Sequence, residues 1–138
     1  MTSSFTKILA SATVMLGLTA TGAQAVNCLQ SDTAGTWQSY TLASNSAGTA
    51  WFRCILSINA GGVIAPTTCT VSSGLTVPMT EGSLTLINGA RCAFIGKFKL
   101  AGVQNGINFA TMSQDKQSVE GVGKFPGGGV FGFNLNKY

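Results

Sequence analysis

The sequence predicts a small all-β domain: an antiparallel meander of about eight strands, closed or partly closed into a barrel and stabilised by disulfides. Three observations carry that reading. After the first 25 residues apolar side chains recur with period two and almost nowhere with period 3.6. Glycine- and asparagine-rich turns punctuate the short runs. Four cysteines, an even number, all lie beyond residue 25. A two-sheet β-sandwich satisfies the same pattern; the barrel is preferred because most links read as tight hairpins.

The N-terminus has three zones. Met1 to Lys7 is short and polar and ends in one positive charge, Ile8 to Leu18 is apolar and uncharged, and Thr19 to Ala25 ends in Ala23-Gln24-Ala25. That order describes a secretory signal peptide cleaved after Ala25. A membrane-spanning helix needs ~20 apolar residues, about twice this run. The expected mature chain, Val26 to Tyr138, is a single domain, secreted or periplasmic.

Export sets the reading of Cys28, Cys54, Cys69 and Cys92, because an even cysteine count in an oxidising compartment implies disulfides. Three pairings are open. The expected one staples Cys54 to Cys69 across the turn Asn59-Ala60-Gly61-Gly62 and ties the N-terminal segment down through Cys28 and Cys92. Zinc sites show shorter cysteine spacings, often with histidine, and this chain has no histidine. No metal or cofactor is expected.

Strands are expected near 35–43, 49–59, 62–71, 82–88, 91–101, 106–112, 117–124 and 129–136. Phe52, Cys54, Leu56 and Ile58 share one face of the second, and Cys92, Phe94, Phe98 and Leu100 share one face of the fifth, with a bulge expected at Gly96. Phe131, Phe133 and Leu135 alternate with Gly132, Asn134 and Asn136 in the last. Asn88-Gly89 and Asn105-Gly106 read as hairpin turns. The longest link, Ser72 to Glu81, carries Pro78 and is where a sandwich would cross between sheets. Ile95-Gly96-Lys97-Phe98 recurs 27 residues later as Val122-Gly123-Lys124-Phe125, a faint repeat too short for an array.

Composition excludes more than it assigns. Loss of Lys7 lowers the formal net charge from +4 to +3, too little to argue for nucleic acid. The missing histidine removes Ser-His-Asp and Cys-His machinery. Gly121-Val122-Gly123-Lys124-Phe125 lacks the spacing of a phosphate loop. Asp115 and Glu120, the nearest carboxylates in sequence, flank a polar loop rather than a cleft. The chain is read as non-catalytic.

Two surfaces are candidate binding sites. Arg91, Lys97 and Lys99 are expected to point the same way and form a stripe for an anionic polymer; the competing reading is a solvated sheet face whose lysines deter aggregation. Trp37, Tyr40 and Trp51 form a candidate aromatic platform for sugars, against core burial of a tryptophan.

Gly35-Thr36-Trp37 opens a strand early in the mature chain and resembles the G-x-W signature of lipocalins and related calycin barrels. The resemblance implies a barrel whose end the motif closes, with Trp37 as structural plug, and a cavity for small apolar ligands. Small bacterial metalloprotease inhibitors are similar calycin-like barrels with a disulfide. The alternation Phe131, Phe133, Leu135 ahead of Tyr138 looks similar to the end of chaperone–usher pilin subunits, which polymerise by strand addition. Val26 to Ala34 departs from a donor strand, being mostly polar and containing Cys28, so the last run reads as an ordinary closing strand.

The leading expectation is an exported, non-catalytic binding or surface module of a bacterial-type envelope. Its ligand, whether small molecule, polysaccharide or protein, is not set by the sequence. A structural subunit of a surface fibre or envelope complex comes second, and an inhibitor of a secreted hydrolase third.

Overall fold

The computed structural model describes residues 27–138; the leader and its cleavage site lie outside the described residues. Alternation of side chains sets the strands in order: β1 (Gly35–Asn45), β2 (Gly48–Ile58), β3 (Val63–Ile64), β4 (Thr67–Val71), β5 (Thr76–Asn88), β6 (Ala93–Leu100), β7 (Val103–Met112), β8 (Ser118–Lys124) and β9 (Val130–Lys137). In β2, Phe52, Cys54, Leu56 and Ile58 are buried while Trp51, Arg53, Ile55 and Ser57 face solvent. The same alternation runs through β1, β8 and β9, and is interrupted by register shifts in β5, β6 and β7.

All pairings are antiparallel; most join strands adjacent in the chain, β2 also pairs with β4 and β3 with β5, and β9 returns to pair with β1. β3 and β4 form one stave, broken at Ala65-Pro66, between β2 and β5. Nine strands therefore make a closed eight-stave barrel in which each strand has a neighbour on both sides. Closure removes the sheet edges that an open sandwich would leave. The C-terminal run is the closing strand, not the rim of an incomplete sheet.

Three local expectations are corrected. The link from Ser72 to Glu81 is mostly strand: β5 begins at Thr76 and Pro78 pairs opposite Thr68. Pro78 is tolerated because its carbonyl, accepting from the Ala101 N–H at 2.8 Å, points past the first β5–β6 partners, Met79 and Leu100. Its nitrogen faces the same way, where no ladder donor is required. Asn105-Gly106 lies inside β7, and the β6–β7 turn is made by Ala101 and Gly102, both at positive φ. The bulge expected at Gly96 sits on the partner strand: Gly96 pairs with Ile107 and Phe94 with Ala110, which leaves Asn108 and Phe109 both facing outward on β7. Asn88-Gly89 opens a 3-10 turn, Gly89–Arg91, with the Asn88 side chain accepting from the Arg91 N–H.

One end of the barrel is plugged. A 3-10 turn, Gln30–Thr33, precedes β1. Trp37 is fully buried behind it, its Nε1 donating to the Thr33 carbonyl at 2.8 Å, and the Lys137 ammonium lies 5.1 Å from its ring centre. The Cys28–Cys92 disulfide anchors the segment, and Cys54–Cys69 joins direct partners of β2 and β4 inside the core. Asp32 accepts from the Leu29 N–H and pairs with Lys116 of the β7–β8 turn at 2.7 Å. Both interactions, the backbone hydrogen bond first, hold its carboxyl below the usual range.

The two disulfides indicate an oxidising environment, extracellular or periplasmic. No helix among the described residues is long and apolar enough to cross a membrane.

Candidate functional site

The lumen is filled by side chains. Phe98 meets Phe131 edge-on at 5.3 Å, and Phe52 and Phe125 pack against these two rings at 6.2 and 5.1 Å. Inward-facing Gly121 and Gly123 on β8 leave room for the rings of their direct partners, Phe133 and Phe131 on β9. What remains inside is a cavity of about 30 Å³ beside Ser39, Thr41 and Leu135. Small-molecule sites occupy roughly 300–1,000 Å³. The cavity that the calycin resemblance implies is therefore not open here.

A larger concavity lies on the outer wall, across β2, β1, β9, β8 and β7, with a volume of about 880 Å³. Two parallel rows of outward residues build it. Strand register places Trp51, Leu42, Gly132, Val122 and Phe109 side by side in one row. Arg53, Tyr40, Asn134 and Glu120 form the next. Gly132 is the floor of the apolar row: an added Cβ would meet nothing nearer than the Gly121 carbonyl, at 3.9 Å. Leu42 and Val122 stand on either side of it, two strand spacings or roughly 10 Å apart at the backbone.

The polar row is orientated by its own hydrogen bonds. Gln38 Nε2 donates to the Tyr40 hydroxyl at 3.0 Å, leaving that hydroxyl's proton to donate outward. Asn134 Nδ2 donates to Glu120 Oε1 at 3.2 Å, and Asn136 Nδ2 donates to Asn134 Oδ1. Trp51 and Tyr40 are 47% and 46% exposed, well beyond what barrel packing requires. The bulge at Asn108 adds Phe109, which a regular strand would turn inward after Ile107.

Of the three expected platform aromatics, Tyr40 and Trp51 meet at this groove and Trp37 does not, because it is the plug. The expected cationic stripe is not assembled on one strand. Lys97 and Lys99 share the outer face of β6, but Arg91 stands in the preceding 3-10 turn, and Lys99 is 3.6 Å from Glu81. Asp115 lies in the β7–β8 turn, where the Ser113 hydroxyl and the Gln117 N–H hold its carboxyl below the usual range. Glu120 is on the outer wall instead. Sequence reasoning missed Leu42, Arg53, Phe109, Val122, Gly132 and Asn134. The alternation of β9 does place Gly132 and Asn134 on the face opposite the phenylalanines, yet which residues flank them depends on register.

No protein-family model and no curated protein sequence matches the chain. Two solved structures have a similar fold. A de novo designed fluorescence-activating β-barrel is 16% identical, with a TM-score of 0.56 over 76% of this chain and 93% of that one. A redesigned β-barrel is 13% identical, with a TM-score of 0.58 over 81% of this chain and 98% of that one. At these identities the likeness concerns fold alone.

Proposed function

We propose that the protein is an exported, non-catalytic binding module of a bacterial-type envelope that holds its ligand on the outer wall of the barrel. Met1–Ala25 serves as a cleaved secretory leader, consistent with the disulfides of the folded part. The observation that carries the reading is the contrast in space. The lumen has room for about one water, whereas the outer groove, at about 880 Å³, is of ligand size and exposes Trp51 and Tyr40. Exposed apolar patches flanked by polar groups mark interaction sites.

The test is native mass spectrometry, without reductant, of the mature protein purified from its own host. The expected result is a monomer carrying a reproducible adduct that is lost in Gly132→Val. That substitution fills the groove floor at a position where an added Cβ meets nothing nearer than the Gly121 carbonyl, at 3.9 Å. A bare monomer overturns the reading. A ladder of oligomers overturns it in favour of an assembly subunit.

A further inference from the structure

We infer that the outer groove binds a neutral polysaccharide, with one sugar ring seated over Gly132 between Leu42 and Val122, another ring of the chain against Trp51 on the far side of Leu42, and the hydroxyls met by the Arg53–Tyr40–Asn134–Glu120 row. This rests on the reading of the groove as a ligand site. A pyranose ring has an apolar C–H face and a rim of hydroxyl groups. A complementary site therefore needs a flat apolar plate next to planar groups that both donate and accept hydrogen bonds. The two rows supply that pairing. The apolar row has Trp51 as its plate and, at Gly132, a slot walled by Leu42 and Val122. The polar row lies two residues along each of β1, β2, β8 and β9, roughly 7 Å away, within side-chain reach of the hydroxyls of a ring seated on the apolar row. Arg53 donates only, Glu120 accepts, and the Asn134 amide and Tyr40 hydroxyl do both.

Charge selects among polymers. The groove carries one cation, Arg53, and one anion, Glu120, so its ionic groups balance. An acidic polymer gains nothing from such a balanced pair; among the described cations with no carboxylate partner, Lys97 stands on the outer face of β6 and Lys124 lies outside the groove lining, two residues beyond Val122 on β8. A lipid tail leaves the polar row unused. An extended peptide has no strand edge to join, since each stave of the barrel is paired on both sides. The sugar chain is the ligand that uses both rows.

The test is titration of the mature protein, followed by tryptophan emission, with neutral hexasaccharides of glucose, mannose and N-acetylglucosamine. Oligogalacturonate serves as the acidic control, and phosphatidylglycerol vesicles and an apolar peptide as non-sugar controls. Trp51 is the half-exposed tryptophan and Trp37 the buried one, so occupancy shifts the Trp51 component. At least one neutral hexasaccharide is expected to bind, with affinity falling at least tenfold in Trp51→Ala and in Gly132→Val and unchanged in Lys97→Ala. Circular dichroism and melting of Gly132→Val check that the barrel is intact. If oligogalacturonate binds best and Lys97→Ala weakens it, the neutral-sugar assignment is overturned. If vesicles or the peptide move the emission in a Gly132-dependent way while no sugar does, the assignment falls and the groove reading stands. If no probe binds and the host-purified protein carries no adduct, both fall.

Discussion

The ring of Phe131 on β9 occupies the space that a side chain on its direct partner Gly123 on β8 would need, and the Gly106 carbonyl closes that space from β7. Phe133 stands in the same relation to Gly121 two pairs further along. Two bulky rings thus fit inside a narrow barrel because two glycines face them. Gly123→Ala should therefore destabilise the fold by about 1–3 kcal/mol through overpacking. Gly127→Ala, in an open turn, should be close to neutral. Denaturant melts of the two variants check the contrast, and equal midpoints would remove this account of the glycines.

Gln30 completes a sheet that β3 is too short to complete. Its side-chain amide donates to the Leu84 carbonyl at 2.9 Å and accepts from the Leu86 N–H at 2.7 Å, as a strand residue would. Gln30→Ala leaves both backbone groups of β5 without these partners and should cost about 1–3 kcal/mol. Amide exchange reads it locally: Leu86 should lose protection while Leu84, whose N–H bonds to the Gly62 carbonyl, keeps most of its own.

Asp32 makes the plug sensitive to acid. The Leu29 N–H and Lys116 lower its folded pKa. A lowered carboxylate pKa contributes stability that is fully present above the unfolded value of about 3.9 and is lost as pH falls through the folded value. Wild-type stability should therefore drop on acidification below about pH 4 more steeply than that of Asp32→Asn. Parallel melting curves for the two proteins between pH 6 and about pH 2 would show that ionisation of Asp32, with its bonds from the Leu29 N–H and Lys116, does not contribute.

The Cys28–Cys92 bridge spans 64 residues and holds the segment that covers Trp37. In the chain-entropy model a loop of that length is worth about 4 kcal/mol, against about 3 kcal/mol for the 15-residue separation of Cys54 and Cys69. Replacing Cys28 and Cys92 by serine should lower the melting temperature and make Trp37 accessible to acrylamide in the presence of Trp51→Phe. Replacing Cys54 and Cys69 should lower stability without opening the plug. Equal quenching of Trp37 in both would contradict the anchoring role.

Alternating patterns within single runs were enough to identify the strands and most of their faces. Phe52 to Ile58 and Phe131 to Leu135 each state their own inside and outside, because period two is a property of one strand. The leader pattern pointed to export and export to paired cysteines, and the closing strand was legible in its alternation. β1 was not legible in this way. Its inward face carries Ser39 and Thr41, and its outward face Tyr40 and Leu42, so local hydropathy points the wrong way past Trp37.

The sequence by itself determined an all-β chain of short strands punctuated by turns, since those features depend on neighbours a few residues apart. Only the tertiary structure decided that the sheet closes, that Trp37 plugs the end while Trp51 stands outside, and that Gly132 lies between Leu42 and Val122. Each of these depends on which residues of distant strands come opposite one another. Register is set by packing of the whole barrel, by the bulge at Asn108 and by the pairing of β9 with β1, and no single stretch of chain contains that information.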